Sequence, residues 1–331
     1  MQFRTTFSRV IPRHPGALLA GRLVTVVALS LLLAQAGLAQ SSSPAIACDR
    51  ECLYALAAAW FDGMLKGDVS RVPLAAAVKF TENGVQMQVG DGLWNTIDGR
   101  RNYNLRIADP AQGEVALVEV VTEHGMPAIM AARLKVADGK ITEIETVLSR
   151  RVDTSPFPAT DGLENSHPLW AEPMPADKRV RRERMISIAD GYFDTLQQND
   201  GTLFTQFTDD CNRVENGLLT TNNPNIPNYD IAKMGCAEQF RLGQYIYDDR
   251  LRDRRFPLVD EENGVVLAAA LMDHSGKIVD VTWTDGKTKT KSVFFYPHSF
   301  VLLELFKIEG NAIKRVEAVF ASLPYNMPSL W

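Results

Sequence analysis

The sequence holds only four cysteines and five histidines in 331 residues, and the motifs that announce several common chemistries are missing. There is no Gly-x-Ser-x-Gly elbow, no glycine-rich phosphate loop, no dinucleotide fingerprint and no His-Glu-x-x-His. These absences argue against the elbow-type serine hydrolases, P-loop nucleotide enzymes, dinucleotide-dependent enzymes and zincin proteases. No apolar stretch beyond the first 39 residues is long enough to span a bilayer. At 46% hydrophobic and 23% charged, the composition excludes a disordered, collagen-like or coiled-coil chain, and the length suits about two domains.

The first 39 residues contain Arg4, Arg9, Arg13 and Arg22, no acidic residue, and an apolar run from Leu23 to Ala34 that leads to Gly37-Leu38-Ala39. Basic, apolar and small residues in that order read as a secretory signal peptide, with cleavage expected after Ala39. Removing four arginines takes the net charge from −5 to −9. So acidic a chain repels phosphate backbones, so no nucleic acid is expected as a partner, and with no second apolar span no membrane is expected after signal cleavage. The mature protein is expected to be secreted or periplasmic. Four cysteines in an exported chain favour disulfides. Of the three connectivities, the local one is simplest, Cys48 with Cys52 and Cys211 with Cys236. No histidine lies near either pair in sequence to suggest a metal site instead.

The chain resembles itself. Ala59-Trp60-Phe61-Asp62 returns as Gly191-Tyr192-Phe193-Asp194, and Thr81-Glu82-Asn83-Gly84 as Val214-Glu215-Asn216-Gly217. Asp109 to Gly113 is echoed by Asp260 to Gly264, and Leu134-Lys135-Val136 by Phe306-Lys307-Ile308. The spacing between matched blocks grows along the chain, so the second copy carries insertions, near residues 218–250 and 275–297. Pro156, Pro158, Pro168, Pro173 and Pro175 mark a linker. The expected organisation is a signal peptide over 1–39, α+β domains over 45–150 and 181–331, and a proline-rich linker over 151–180.

Each copy opens with a helix whose apolar face is Leu53, Leu56, Trp60 and Met64, or Met185, Ile188, Tyr192 and Leu196. Strand-like runs follow, closed by hairpins at Asp138-Gly139 and Gly310-Asn311. Phe300, Leu302, Phe306 and Ile308 share one strand face while Val301, Leu303 and Leu305 share the other, so both faces are apolar. The expected fold is α+β, two tandem units of helix plus antiparallel sheet, with outer sheet faces packed as an intrachain pseudo-dimer.

The apolar first helix, the strand ending in Glu82-Asn83-Gly84 and the closing hairpin from Arg133 to Glu145 resemble the nuclear-transport-factor-2-like superfamily. That superfamily includes SnoaL-like cyclases, ketosteroid isomerases and scytalone dehydratases. The resemblance covers about 45–150 and 180–325, and it implies that each unit is cone-shaped, a helix plus a curved antiparallel sheet, with an apolar pocket between helix and concave sheet. No catalytic motif of those enzymes maps onto this chain residue by residue, and non-catalytic binding modules share the fold.

The candidate catalytic residues are Glu215, Arg213, Glu304 and His298. Arg213 and Glu215 alternate onto one strand face, where an arginine beside a carboxylate suits acid/base work. With Gly310-Asn311 as a two-residue turn, Glu304 is expected to oppose Glu317, a pairing that perturbs carboxyl groups. Ala132 is expected opposite Glu145. His298 sits beside Pro297 at the start of an apolar strand. Candidate substrate-binding residues are Glu82, Trp94, Tyr103, Arg255 and Glu317. Glu82 either faces a ligand or shapes a strand end by bonding backbone amides. Trp94 and Tyr103 either line a pocket or fill a core. The run from Arg250 to Arg255 either holds an anionic group or forms a network with Asp248, Asp249, Asp253 and Asp260. His124 and His274 are expected at solvated hairpin tips.

The chemistry expected is that of an exported lyase, dehydratase or isomerase acting on a small apolar or aromatic molecule, with no cofactor and no metal. A non-catalytic small-molecule binder is the alternative, and a protein with filled pockets a third.

Overall fold

The computed structural model describes residues 48–151, 160, 163–227 and 229–331. The expected leader with its cleavage point, and Pro156 and Pro158 of the linker, lie outside the described residues.

The first repeat begins with α1 (Arg50–Leu65). Asp49 caps it, its carboxylate accepting the Cys52 amide at 2.9 Å, and a Cys48–Cys52 disulfide closes the first turn. Six strands follow: β1 (Leu74–Glu82), β2 (Val85–Met87), β3 (Ile97–Asp109), β4 (Glu114–Glu123), β5 (Met126–Ala137) and β6 (Lys140–Arg150). Their order in the sheet is β2-β1-β6-β5-β4-β3. The second repeat has α2 (Arg182–Gln198), β7 (Gln206–Glu215), β8 (Leu218–Leu219), the short α3 (Cys236–Arg241), β9 (Arg250–Asp260) and β10 (Val265–His274). It continues with β11 (Asp280–Thr282), β12 (Lys289–Lys291), β13 (His298–Glu309) and β14 (Ala312–Leu323). The sheet order is β8-β7-β14-β13-β10-β9, the same as in the first repeat, while β11 and β12 form a separate hairpin.

Each sheet departs in one respect from the antiparallel arrangement expected. β1 lies parallel to β6, and β7 parallel to β14, so both sheets are mixed. The first strand of each repeat is separated from the meander and returns beside its last strand, which fixes the direction.

Alternation along β4 sends Val115, Leu117 and Val121 into a core with Leu53, Trp60 and Met64 of α1. The intervening Ala116, Val118 and Val120 enter a different core, shared with Leu258, Leu267, Leu303, Leu305 and Val319 of the second repeat. The two sheets therefore pack through their outer faces as an intrachain pseudo-dimer. Its polar contacts are reciprocal, as a two-fold arrangement requires. Arg50 at the start of α1 meets Asp260 at 2.6 Å, and Arg182 at the start of α2 meets Asp109 at 2.8 Å. The recurrence of that aspartate in both copies thus has a structural reason.

Asn83 and Asn216 explain another recurrence. Each takes a left-handed conformation before a glycine, φ 46° in both. The Asn83 side chain both accepts from and donates to the backbone of Leu148, and Asn216 does the same with Phe320. Each asparagine side chain stands in for a strand residue at the point where the chain turns.

The closing hairpins differ from the expected register. A bulge next to each turn inserts one residue, between Lys135 and Val136 and between Lys307 and Ile308 in the pairing. Glu304 consequently faces Ala318 rather than Glu317, and Lys307 rather than Phe306 faces Arg315. In the first repeat Ala132 faces Thr146, and Arg133 faces Glu145. A one-residue slip moves a side chain to the opposite face, so Glu304 and Glu317 are separated by the sheet itself.

The Cys211–Cys236 disulfide ties β7 to α3 across the first insertion, and both cysteines are buried. Replacing both by serine is expected to lower the unfolding free energy in urea by about 3 kcal/mol, from the size of the loop released. A loss within error of zero would show that the insertion holds its shape without the bond.

Candidate functional site

The concave faces of the two repeats differ. In the first, a short 3-10 turn at Gly92–Asn95 drives Leu93 and Trp94 into the core beside Phe80 and Met130. In the second, the corresponding segment is enlarged, and the chain arches over a cavity of about 490 Å³. That size lies in the range of small-molecule sites.

α2, β7, β10, β13 and β14 form the floor, with Tyr192, Arg213, Glu215, Phe300, Glu304 and Phe320. The two insertions form the roof and rim. Tyr229, Tyr245 and Tyr247 come from the first, and Trp283, Lys291 and Phe294 from the second. The wall is thus mostly aromatic with a few polar groups.

Arg213 is buried in the floor. Period-two alternation on β7 brings Arg213 and Glu215 to the same face, and their side chains form an ion pair. The Nη1 of Arg213 donates to Gln239 at 3.0 Å and to the Tyr245 hydroxyl at 3.3 Å, while its Nε is buried without a hydrogen-bond partner. Gln239 is fixed in turn by donating to the carbonyls of Thr220 and Ile231 at 2.6 and 2.9 Å. The guanidinium also lies 4.8 Å from the centre of the Phe240 ring. It is a fixed positive charge with no freedom to swing.

Glu304 is buried on the neighbouring face of β13, between Arg213, Glu215 and the hydroxyl of Tyr192. Burial dominates its titration and pushes the carboxyl up to about 8, against the pull of Arg213 and the Tyr192 hydrogen bond. At neutral pH it carries a proton. Burial also raises the Tyr192, Tyr245 and Tyr247 phenols, so they remain protonated donors.

The far wall holds His274, whose Nε2 lies 2.7 Å from the Asp248 carboxylate. His274 is buried and lines the cavity, which corrects the expectation that it sits at a solvated hairpin tip. The second insertion covers the end of β10 and removes the solvent. His298 stacks behind it, rings parallel within 5° and 4.6 Å apart. Its Nδ1 donates to the Tyr296 carbonyl at 2.9 Å, and burial lowers its pKa, so it is neutral.

Of the residues singled out in the sequence, the fold brings Arg213, Glu215 and Glu304 together in the cavity and sets His298 one layer behind. The others lie elsewhere. Glu82 accepts from the Leu93 amide at 2.8 Å and lies 3.4 Å from Arg150, in the first repeat. Trp94 is core there. Tyr103 donates to Glu317, and Trp170 donates to the same carboxylate at 3.0 Å, all three between the sheets. Arg255 pairs with Glu145 of the first repeat at 2.6 Å. The arginine run is strand β9, and its charges are engaged by Asp273, Asp253, Asp190, Asp194 and Glu145. Tyr192, Gln239, Tyr245, Asp248 and His274 were not singled out as site residues. The aromatic-rich insertions were the one signal available for the roof.

Among the described residues, no three His, Cys, Asp or Glu side chains converge as a metal site, and no helix is long and apolar enough to cross a membrane. The two disulfides fit an oxidising compartment.

A helix seated on a curved six-stranded sheet is repeated in tandem, with a ligand-sized cavity in the second repeat. The chain belongs to the family described as Domain of unknown function (DUF8021), whose model matches residues 47–148 and 178–320. No curated protein matches it. Among solved structures it is similar to AclR of Streptomyces galilaeus, assigned as a hydroxylase (17% identity, 31% of this chain and 82% of that one, TM-score 0.27). It is also similar to a protein assigned as a ketosteroid isomerase from Kribbella flavida (16% identity, 33% and 86%, TM-score 0.27). A third is an NTF2-like protein from Cytophaga hutchinsonii (14% identity, 42% and 98%, TM-score 0.24). These likenesses carry no argument about activity.

Folding holds the Glu304 proton up to about pH 8, whereas the unfolded chain releases it near 4.5. Between those values the folded state binds more protons, so this group makes stability fall as pH rises. Glu304→Gln is expected to gain on the wild type by a few kcal/mol between about pH 5 and 8, read from urea midpoints. Parallel curves for the two proteins would refute the buried, protonated carboxyl.

Proposed function

We propose that the second repeat is a cofactor-independent lyase, dehydratase or isomerase site for a small apolar or aromatic molecule. Residues 1–39 would serve as a leader cleaved after Ala39, delivering the protein to a secreted or periplasmic location. The two disulfides support the export.

One observation carries the chemistry: a buried carboxyl, Glu304, that titrates near neutrality inside an aromatic cavity beside a fixed guanidinium. A carboxyl tuned to about 8 takes or gives a proton at neutral pH with little driving-force penalty in either direction. Arg213 supplies positive potential where an enolate or alkoxide develops, and Glu215, Gln239 and Tyr245 keep it in place before the reaction begins. Tyr192 hydrogen-bonds to Glu304 and orients its carboxyl. The Asp248–His274 pair on the far wall offers a second proton carrier at the other end of a ligand. Proton transfer of this kind needs no cofactor.

The wall also fits an uncharged ligand. Arg213 is matched by Glu215, Glu304 is neutral at pH 7, and the rest of the interior is largely aromatic. The same lining supports the second reading, a non-catalytic small-molecule binder.

The test is turnover of a panel of aromatic ketones and secondary alcohols by the wild type and Glu304→Gln. The expected loss in kcat is on the order of 100-fold or more, with the KM little changed. If Glu304 acts as the base, wild-type kcat/KM rises with pH through about 8 and the variant loses that rise. A substrate turned over at full rate by Glu304→Gln would remove the carboxyl from the mechanism. Saturable binding without turnover across the panel would favour the binder.

A further inference from the structure

The second insertion forms part of the rim of the cavity, and its outer surface is unusual for an acidic protein. Val293, Phe295 and Tyr296, three of four consecutive residues, are 55%, 60% and 53% exposed. Phe294, between them, turns inward and lines the cavity together with Val293. Apolar surface therefore runs without interruption from solvent into the ligand space. Ile246, also exposed, extends it beside Tyr247, whose ring meets Phe294 at 5.5 Å. Contiguous exposed apolar residues of this kind mark an interaction site, unlike single scattered ones.

The insertion's own charge has the opposite sign to the rest of the protein, while Asp249 of the first insertion bonds to Ser275 at its start. Lys277, Lys287, Lys289 and Lys291 are all exposed on this insertion. Its acidic residues are Asp280, paired with Lys291, and Asp285, whose carboxylate accepts from the amides of Lys287 and Thr288. Aromatic side chains interleaved with lysines are the combination a headgroup layer accommodates, rings at the interface and ammonium groups on phosphate.

We propose that the insertion from residue 275 to 297 docks on an anionic lipid surface and opens the cavity toward it. The acidic overall net charge conceals these local lysines. The role of the contact rests on the cavity being a ligand site: an apolar ligand would pass between lipid and cavity without crossing bulk water. The contact itself does not depend on what happens to that ligand.

The experiment is co-sedimentation of the protein with vesicles of phosphatidylcholine alone and of phosphatidylcholine mixed with phosphatidylglycerol, at low and high salt. Binding to the mixed vesicles, weakened by salt, is the expected result. Phe295→Ser with Tyr296→Ser, and separately Lys287→Glu with Lys289→Glu, are each expected to weaken it by roughly tenfold or more. None of these four side chains lines the cavity. Binding of 2-naphthol, followed by its fluorescence, therefore reports whether each variant keeps a folded cavity. Absence of vesicle binding, or full binding by both variants, would overturn the docking surface. So would a wild-type dimer in sedimentation equilibrium that Phe295→Ser dissolves, since the patch would then be a self-contact. Loss of 2-naphthol binding in the wild type with vesicle binding intact would overturn the ligand reading and leave the docking surface standing.

Discussion

Everything in this protein follows from sheets that are apolar on both faces. A curved sheet with one helix can cover its concave side only, and the outer sides of β4, β5, β10 and β13 are lined by Val118, Ile129, Leu267 and Leu303. Those faces must be removed from water, and two copies in one chain remove them against each other. The charged groups caught at the border, Arg50 with Asp260 and Arg182 with Asp109, are paired reciprocally, so the interface leaves no charge of these four alone.

With the outer faces occupied, the concave faces are free to take different roles without disturbing the scaffold. The first has become core, plugged by Leu93 and Trp94. The second keeps an open volume because its insertions arch over it, held by a disulfide and by Gln239 bonding two backbone carbonyls. Rigidity matters here for an electrostatic reason. Low-dielectric surroundings strengthen each fixed charge, and a guanidinium with four partners does not rearrange to meet an incoming ligand.

The doubling of the chain, both helices, the meander strands and the back-to-back packing were legible in the sequence because they rest on apolar periodicity, which survives divergence. β3 and β9 were not, because Arg100-Arg101-Asn102 and the run from Arg250 to Arg255 break the apolar pattern. They are the sheets' edge strands, where charged side chains reach solvent or partners on other elements. The hairpin register was missed by one residue, since a bulge leaves no mark in an alternating pattern, and that displaced Glu317 from the site. Glu304 could be found because it interrupts an otherwise apolar face, and Arg213 and Glu215 because they alternate onto one face at the repeated Glu-Asn-Gly. Tyr192 could not be distinguished from core, and His274 depended on an insertion whose path the sequence does not reveal.

The two repeats also show why the polar groups of the cavity belong together. The strand pairings place Phe80 where the second repeat has Arg213, and Ala132 where it has Glu304. The exchange makes sense only as a set. Arg213 in the first repeat's packed core would be a buried cation without its partners, and Glu304 without Arg213 would lose the positive potential that opposes its burial. Glu82 and Glu215 occupy equivalent positions, yet one bonds the Leu93 amide and the other holds Arg213. A single backbone position thus serves as a turn anchor in a filled cone and as a counter-ion in an open one. The difference is set by whether the segment after it plugs the cone or roofs it.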